Sequence, residues 1–167
     1  MLEARLHFGR IPGFYDGVEE TPSQIKASWE TLGMTTEKFL GAIGLSIPSG
    51  EKGRSVMELT WARPTCEFNG VVGGYTGEGF KTVLPAKASA KVSFRLVANQ
   101  DPAKITRAFF KWCKDRTPPG CRWEFIDHHG GFGVTTPIDS PAMKAASRAL
   151  KAATGKAPAL IKSGGSI

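Results

Sequence analysis

The sequence predicts an α+β fold, with helices packed on one face of an antiparallel sheet, and three observations predict it. Residues 88–96 alternate strictly: Ala88, Ala90, Val92, Phe94 and Leu96 point one way, and Ser89, Lys91, Ser93 and Arg95 the other. That is the period of a strand with one buried face. After Asp101-Pro102 the period becomes helical, with Ile105, Ala108, Phe109 and Trp112 forming an apolar stripe. The order strand, strand, helix, strand across 65–128 then brings one helical layer against one sheet.

Taken in order, Leu2 to Phe8 reads as the last turns of a helix or a short strand, and Gly9-Arg10-Ile11-Pro12-Gly13 as loop. A helix follows, with Thr21 as N-cap, Pro22 at the first helical position and Gln24 completing a capping box. Its inward face is Ile25, Trp29 and Leu32, and Gly33 stops it. A short helix carries Phe39, Leu40 and Ile43. Ser55 with Glu58 caps another, which Pro64 ends. Residues 65–75 and 87–98 read as strands. The helix after Asp101 runs until Pro118-Pro119-Gly120, and 121–128 is a third strand with Trp123 and Phe125 facing inward. Ser140-Pro141 opens a last helix bearing Met143, Ala146 and Leu150, closed by Gly155. The apolar run Ala159-Leu160-Ile161 leads into Ser163-Gly164-Gly165-Ser166-Ile167.

Composition narrows the function classes. A chain of 167 residues with 41% hydrophobic content suits one globular unit. It holds no apolar run approaching the ~20 residues of a membrane span and no apolar N-terminal stretch of signal-peptide length, so a cytoplasmic location is expected. Cys66, Cys113 and Cys121 form no CxxC pair and are odd in number, which points to free thiols, buried or half-buried. The net charge of +7 is spread along the chain without a basic run, so neither a nucleic-acid nor a membrane partner is expected.

Few residues carry chemistry. His128 and His129 are adjacent on a predicted strand, so their rings point to opposite faces and would not converge on one ion. Gly74, Gly77 and Gly79 match neither a phosphate-binding loop nor a dinucleotide fingerprint. No serine sits in a GxSxG elbow, and Ser166 has no base near it in sequence. Arg95 remains: a mid-strand cation beside Ser93, either an exposed strand arginine or a bidentate anchor for a carboxylate.

Four strings change that balance: Ile11-Pro12-Gly13-Phe14-Tyr15-Asp16, Lys81-Thr82-Val83-Leu84-Pro85, Ser93-Phe94-Arg95-Leu96-Val97 and Ser163-Gly164-Gly165-Ser166-Ile167. In order and spacing the chain resembles the di-zinc exopeptidases that include carnosinase-type dipeptidases, glutamate carboxypeptidase and acetylornithine deacetylase, and it is nearest the carnosinase-like branch. The resemblance implies a dimerisation or lid domain of ferredoxin-like βαββαβ pattern, inserted into a catalytic domain that binds two zinc ions. It implies that Arg95 binds the substrate's terminal carboxylate, that Thr82 touches substrate, and that Gly165 and Ser166 form the turn returning to the active site.

The sequence also departs from that pattern. The HxD ligand motif, the Glu-Glu pair and the lid's first strand with its histidine have no match here, and His7 does not sit in such a motif. The resemblance therefore implies a piece of a larger enzyme: a partial lid over 1–138 and the start of the return segment over 139–167. The expected function is dimerisation and substrate capping in a zinc-dependent dipeptidase or N-acyl-amino-acid amidohydrolase. The chain itself is expected to hold no cofactor and to be inactive alone, with a homodimer and a dipeptide or N-acyl amino acid as partners of the parent. The alternative is a stand-alone assembly module that keeps the lid fold without catalysis.

Overall fold

The computed structural model describes residues 11–163. The predicted element at 2–8, His7, and the residues Gly165 and Ser166 lie outside them. The described elements are α1 (Ser23–Glu30), α2 (Thr36–Ala42), α3 (Val56–Trp61), β1 (Thr65–Gly73), β2 (Ala88–Arg95), α4 (Pro102–Lys114) and α5 (Pro141–Thr154).

Four helix starts follow from local chemistry. Thr35 caps α2 through the Lys38 amide. Ser55 and Glu58 form the reciprocal capping box of α3. Asp101 accepts from the Ala103 and Lys104 amides ahead of Pro102, and Ser140 accepts from Met143 ahead of Pro141. Gly155, at φ 74°, closes α5 in the left-handed conformation that glycine adopts without strain.

The start of α1 corrects the sequence reading. Pro22, extended at φ −55° and ψ 143°, is the N-cap, with no side-chain cap, and its carbonyl accepts from the Ile25 and Lys26 amides. The helix begins one residue later than expected, which leaves Thr21 outside it and dissolves the Thr21–Gln24 box. It also ends at Glu30, so Leu32 falls in the following turn and is exposed, as is Ile43 just beyond α2.

β1 and β2 form an antiparallel hairpin, with Cys66 opposite Phe94, Thr65 opposite Arg95, and a bulge between Phe68 and Gly70. The predicted third strand is not one: among the described residues the sheet has two strands, and 121–128 joins neither. A strand exists by backbone pairing, whereas this segment is held by side chains. Phe125 stacks on Phe110 of α4 at 4.2 Å, and Trp123 stacks on Phe125 at 5.6 Å. Phe125 turns partly inward as the alternation predicts, whereas Trp123, expected to do the same, is exposed.

Two apolar clusters organise the chain. Ile25, Trp29, Val56, Met57 and Ala62 join α1 to α3. Ile11, Phe14 and Ile105 join the first turn to α4, with Cys66, Phe94, Leu96, Ala108, Phe109 and Trp112 packed around them. The apolar stripe of α4 therefore meets the open end of the hairpin, while Ala88 and Ala90 at the other end remain exposed. Gln100, 1% exposed, ties the second cluster together by donating to the Phe14 carbonyl at 2.6 Å and accepting from the Val97 amide at 2.9 Å. Gly17 touches the same corner. A Cβ there would lie 2.5 Å from the Asn99 carbonyl oxygen, and φ is +78°, so glycine is required twice over.

Helix α5 buries none of its residues. The chain after it returns to the body at Leu160, which packs against the α1–α3 cluster. The Leu160 amide donates to Ser28 Oγ at 2.8 Å, and Trp29 Nε1 donates to the Leu160 carbonyl at 2.6 Å.

Candidate functional site

Packing decides where Arg95 points. The Phe94 ring meets Phe109 of α4 at 5.3 Å and Phe14 at 6.0 Å, so Phe94 faces the helical layer. Strand alternation then sends Arg95 to the opposite face, where it is exposed. Thr65, directly across from Arg95, and Glu67, across from Ser93, share that face. Thr65 Oγ1 and Glu67 Oε2 are buried without a hydrogen-bond partner. The face thus combines a guanidinium with a hydroxyl and a carboxylate oxygen, in contrast to the apolar face on α4. A guanidinium so placed can hold a carboxylate through two parallel N–H donors.

The hairpin does not bring all the predicted residues to one end. Thr82 lies exposed in the connection from Gly73 to Ala88, while Arg95 sits at the far end of the ladder, about 23 Å of extended strand from Ala88.

Other reactive groups are directed away from chemistry. Burial pushes the Cys66 thiol up to about 12, with further contributions from Glu67 and Cys113, so it is held as an unreactive thiol. Burial also raises Cys113, and Cys121 is exposed, where the sequence suggests a buried or half-buried thiol. His128 and His129 are both exposed, and Asp127 Oδ1 accepts from the His129 amide in a local turn at 2.8 Å. Among the described residues no group of three or more His, Cys, Asp or Glu is arranged to hold a metal ion. A cavity of about 290 Å³ between Pro12–Gly17 and the start of α4 contains none of the predicted site residues.

Two arrangements carry no sequence signal. Arg54 pairs with Glu20, Glu51 and Glu58, and Arg63 with Glu20 and Glu51, tying the 15–20 segment to α3. The Ser55–Glu58 capping pair is legible in the sequence, but the roles of Glu20 and Glu51 are not, because nothing local announces them. The Ser28 and Trp29 bonds to Leu160 span 132 and 131 residues and leave no periodic signal.

The peptidase dimerisation domain model matches residues 24–121. The chain is 30% identical to the Cys-Gly metallodipeptidase DUG1 of Saccharomyces cerevisiae over 161 residues, covering 91% of this chain and 33% of that protein. It is 21% identical to the Beta-Ala-His dipeptidase of Homo sapiens over 160 residues, 94% of this chain and 32% of that protein. Among solved structures, an M20 family metallo-carboxypeptidase, Sso-CP2 from Sulfolobus solfataricus, superposes with a TM-score of 0.76 at 33% identity. That match covers 94% of this chain and 36% of the other. The di-peptidase Dug1p of Saccharomyces cerevisiae superposes with a TM-score of 0.65 at 28% identity, over 94% of this chain and 33% of the other. The chain spans about a third of the length of the curated relatives it matches.

Proposed function

The chain belongs to the peptidase dimerisation domain family, and from that premise we propose that it is the dimerisation and substrate-capping part of a zinc-dependent dipeptidase or N-acyl-amino-acid amidohydrolase. In this reading Arg95 binds the terminal carboxylate of the substrate, Thr82 contacts the substrate, and Gly165 with Ser166 belongs to the turn that meets it. Residues 1–138 form the lid portion and 139–167 the return towards the catalytic domain. The enzyme acts as a cytoplasmic homodimer.

The observation that carries this reading is the two-sidedness of β2. Phe94 is committed to the α4 layer, which leaves Arg95 on a polar face beside Thr65, Glu67 and Ser93. The described residues do not fit a zinc pair, since no suitable ligand group is present among them. In this reading the metals and the hydrolytic chemistry belong to another domain, and this chain orients the substrate. Fixing a reactant by its far end lowers the entropic part of the barrier without any bond-making by the residue that holds it.

The test is an assay of the full-length protein on free dipeptides and N-acyl amino acids. Hydrolysis is expected, lost on chelation and restored by zinc. A pure, folded, zinc-supplemented full-length protein that cleaves neither class would overturn the reading.

A further inference from the structure

The face of the hairpin that carries Arg95 also carries a carboxylate. Cys66 packs with Phe94 into the cluster against α4, so its neighbours Thr65 and Glu67 are directed to the opposite face. Glu67 is half-buried there, and its Oε2 is buried without a hydrogen-bond partner. A carboxylate oxygen in that state costs free energy until a donor reaches it, and a charged donor offsets the cost best. Lys91, the other cation of β2, is directed elsewhere. It is exposed opposite Gly70, with its Cδ 3.8 Å from where a Cβ on Gly70 would stand.

Register sets the separation of this carboxylate from the guanidinium. Thr65 is directly opposite Arg95 and Glu67 directly opposite Ser93, so Glu67 and Arg95 are diagonal neighbours on one face. Diagonal side chains of an antiparallel pair start roughly 7–8 Å apart. Two residues of extended chain span about 7 Å, from the first amine to the terminal carboxylate. The face therefore offers a positive and a negative group at the spacing of the two charges of a free dipeptide. The amide of such a ligand lies between the two side chains, clear of both.

We infer that Glu67 is a specificity-determining residue of the proposed substrate site: it receives the ammonium group of a free dipeptide whose carboxylate Arg95 holds. This rests on the proposed role of Arg95, and it narrows the substrate to the class that carries both charges. A free dipeptide supplies the missing donor, and the contact is charge-assisted on both sides. An N-acyl amino acid ends in an uncharged group and leaves the Glu67 oxygen without a donor. A polar site left unpaired in that way rejects the analogue more strongly than an apolar pocket does.

The experiment uses the zinc-supplemented full-length protein. Its probes are dipeptides of glycine and alanine, each paired with its desamino analogue, an N-acetyl or N-propionyl amino acid. An analogue turned over too slowly to follow is read as a competing ligand, through its inhibition constant. Wild type should favour the dipeptide by at least tenfold in kcat/KM. Glu67→Gln keeps the shape and removes the charge. It should lower kcat/KM for the dipeptide at least tenfold while moving the value for the analogue less than threefold. Glu67→Asp keeps the charge on a shorter stem and should retain part of the preference, and Lys91→Gln should leave both values near wild type. A merely structural role would not separate the probes, because an unfolded fraction lowers both rates by the same factor. Equal losses on both probes, no loss on either, or a Lys91→Gln variant that behaves like Glu67→Gln would overturn the role of Glu67 and leave that of Arg95 standing. So would a wild type that prefers the analogue. A wild-type protein that hydrolyses neither class would overturn the functional reading and the role of Glu67 with it.

Discussion

At position 95 two separate constraints meet on one side chain. The period-2 pattern of 88–96 sets its direction, and the Phe94–Phe109 contact fixes the same direction physically. Strand periodicity is a local property, so this part of the site is legible in the sequence. The hydrogen bonds that hold Leu160 are not legible there, because Trp29 and Ser28 stand 131 and 132 positions away and are ordinary members of a helix. For the proposed enzyme, a bidentate guanidinium–carboxylate contact is worth roughly 1.5–3 kcal/mol, or about ten- to a hundredfold in kcat/KM. Arg95→Ala should therefore lower kcat/KM for free dipeptides by that factor, and Arg95→Lys should recover only part of it, since an ammonium lacks the planar fork. Substrates whose C-terminus is amidated offer no carboxylate and should hardly distinguish the variants. Equal kcat/KM for wild type and Arg95→Ala on a free dipeptide, with the fold intact, would return Arg95 to an ordinary surface residue.

Among the elements, what the sequence discloses is whatever a side chain and its partner within three residues decide. The caps at Ser55, Asp101 and Ser140 are of that kind. Thr21 does not cap because Pro22 holds an extended conformation and hands the first turn to its own carbonyl, a backbone decision that composition does not reveal. The segment 121–128 departs for a different reason. Its alternation is real and Phe125 does turn inward, but pairing requires a neighbouring edge, and side-chain stacking on Phe110 wins instead. The α3 cap also yields a pH dependence. Burial alone would raise the Glu58 carboxyl, yet hydrogen bonds from Lys26 and from the Ser55 amide and hydroxyl, with the Lys26 charge, bring it down from 4.5 to about 2. A carboxylate depressed in the folded state stabilises fully above its ordinary value, and that contribution fades as pH falls towards the folded value. Thermal midpoints should therefore drop between about pH 5 and pH 2, and Glu58→Gln should lower Tm at pH 7 while flattening this acid limb. An acid limb as steep in Glu58→Gln as in wild type would assign the effect to other carboxylates.

For the molecule as a whole, the sheet edge is the feature that calls for a partner. A two-stranded hairpin is marginal by itself in water, and β1 pairs β2 along one edge and, among the described residues, no strand along the other. Beside that edge two apolar side chains, one on each face of the strand, are exposed: Val71 at 70% and Val72 at 56%. Polar edges, prolines or inward charges commonly protect a strand from pairing with another chain, and β1 has no proline or charged residue after Glu67. Membership of a peptidase dimerisation domain family supplies a use for such an edge. In the proposed homodimer, β1 of one protomer lies against its partner, so that burying Val71 and Val72 adds apolar contact to backbone pairing. The full-length protein should then sediment as a dimer at micromolar concentration. Val71→Lys places a charge in the contact without touching the Thr65–Arg95 or Cys66–Phe94 pairs that hold the open end of the hairpin. It should raise the dimer Kd at least tenfold, with little change in the far-ultraviolet circular dichroism of the folded protein. A dimer of undiminished affinity in Val71→Lys would place the interface on another surface. A wild-type monomer at all accessible concentrations would remove the homodimer itself.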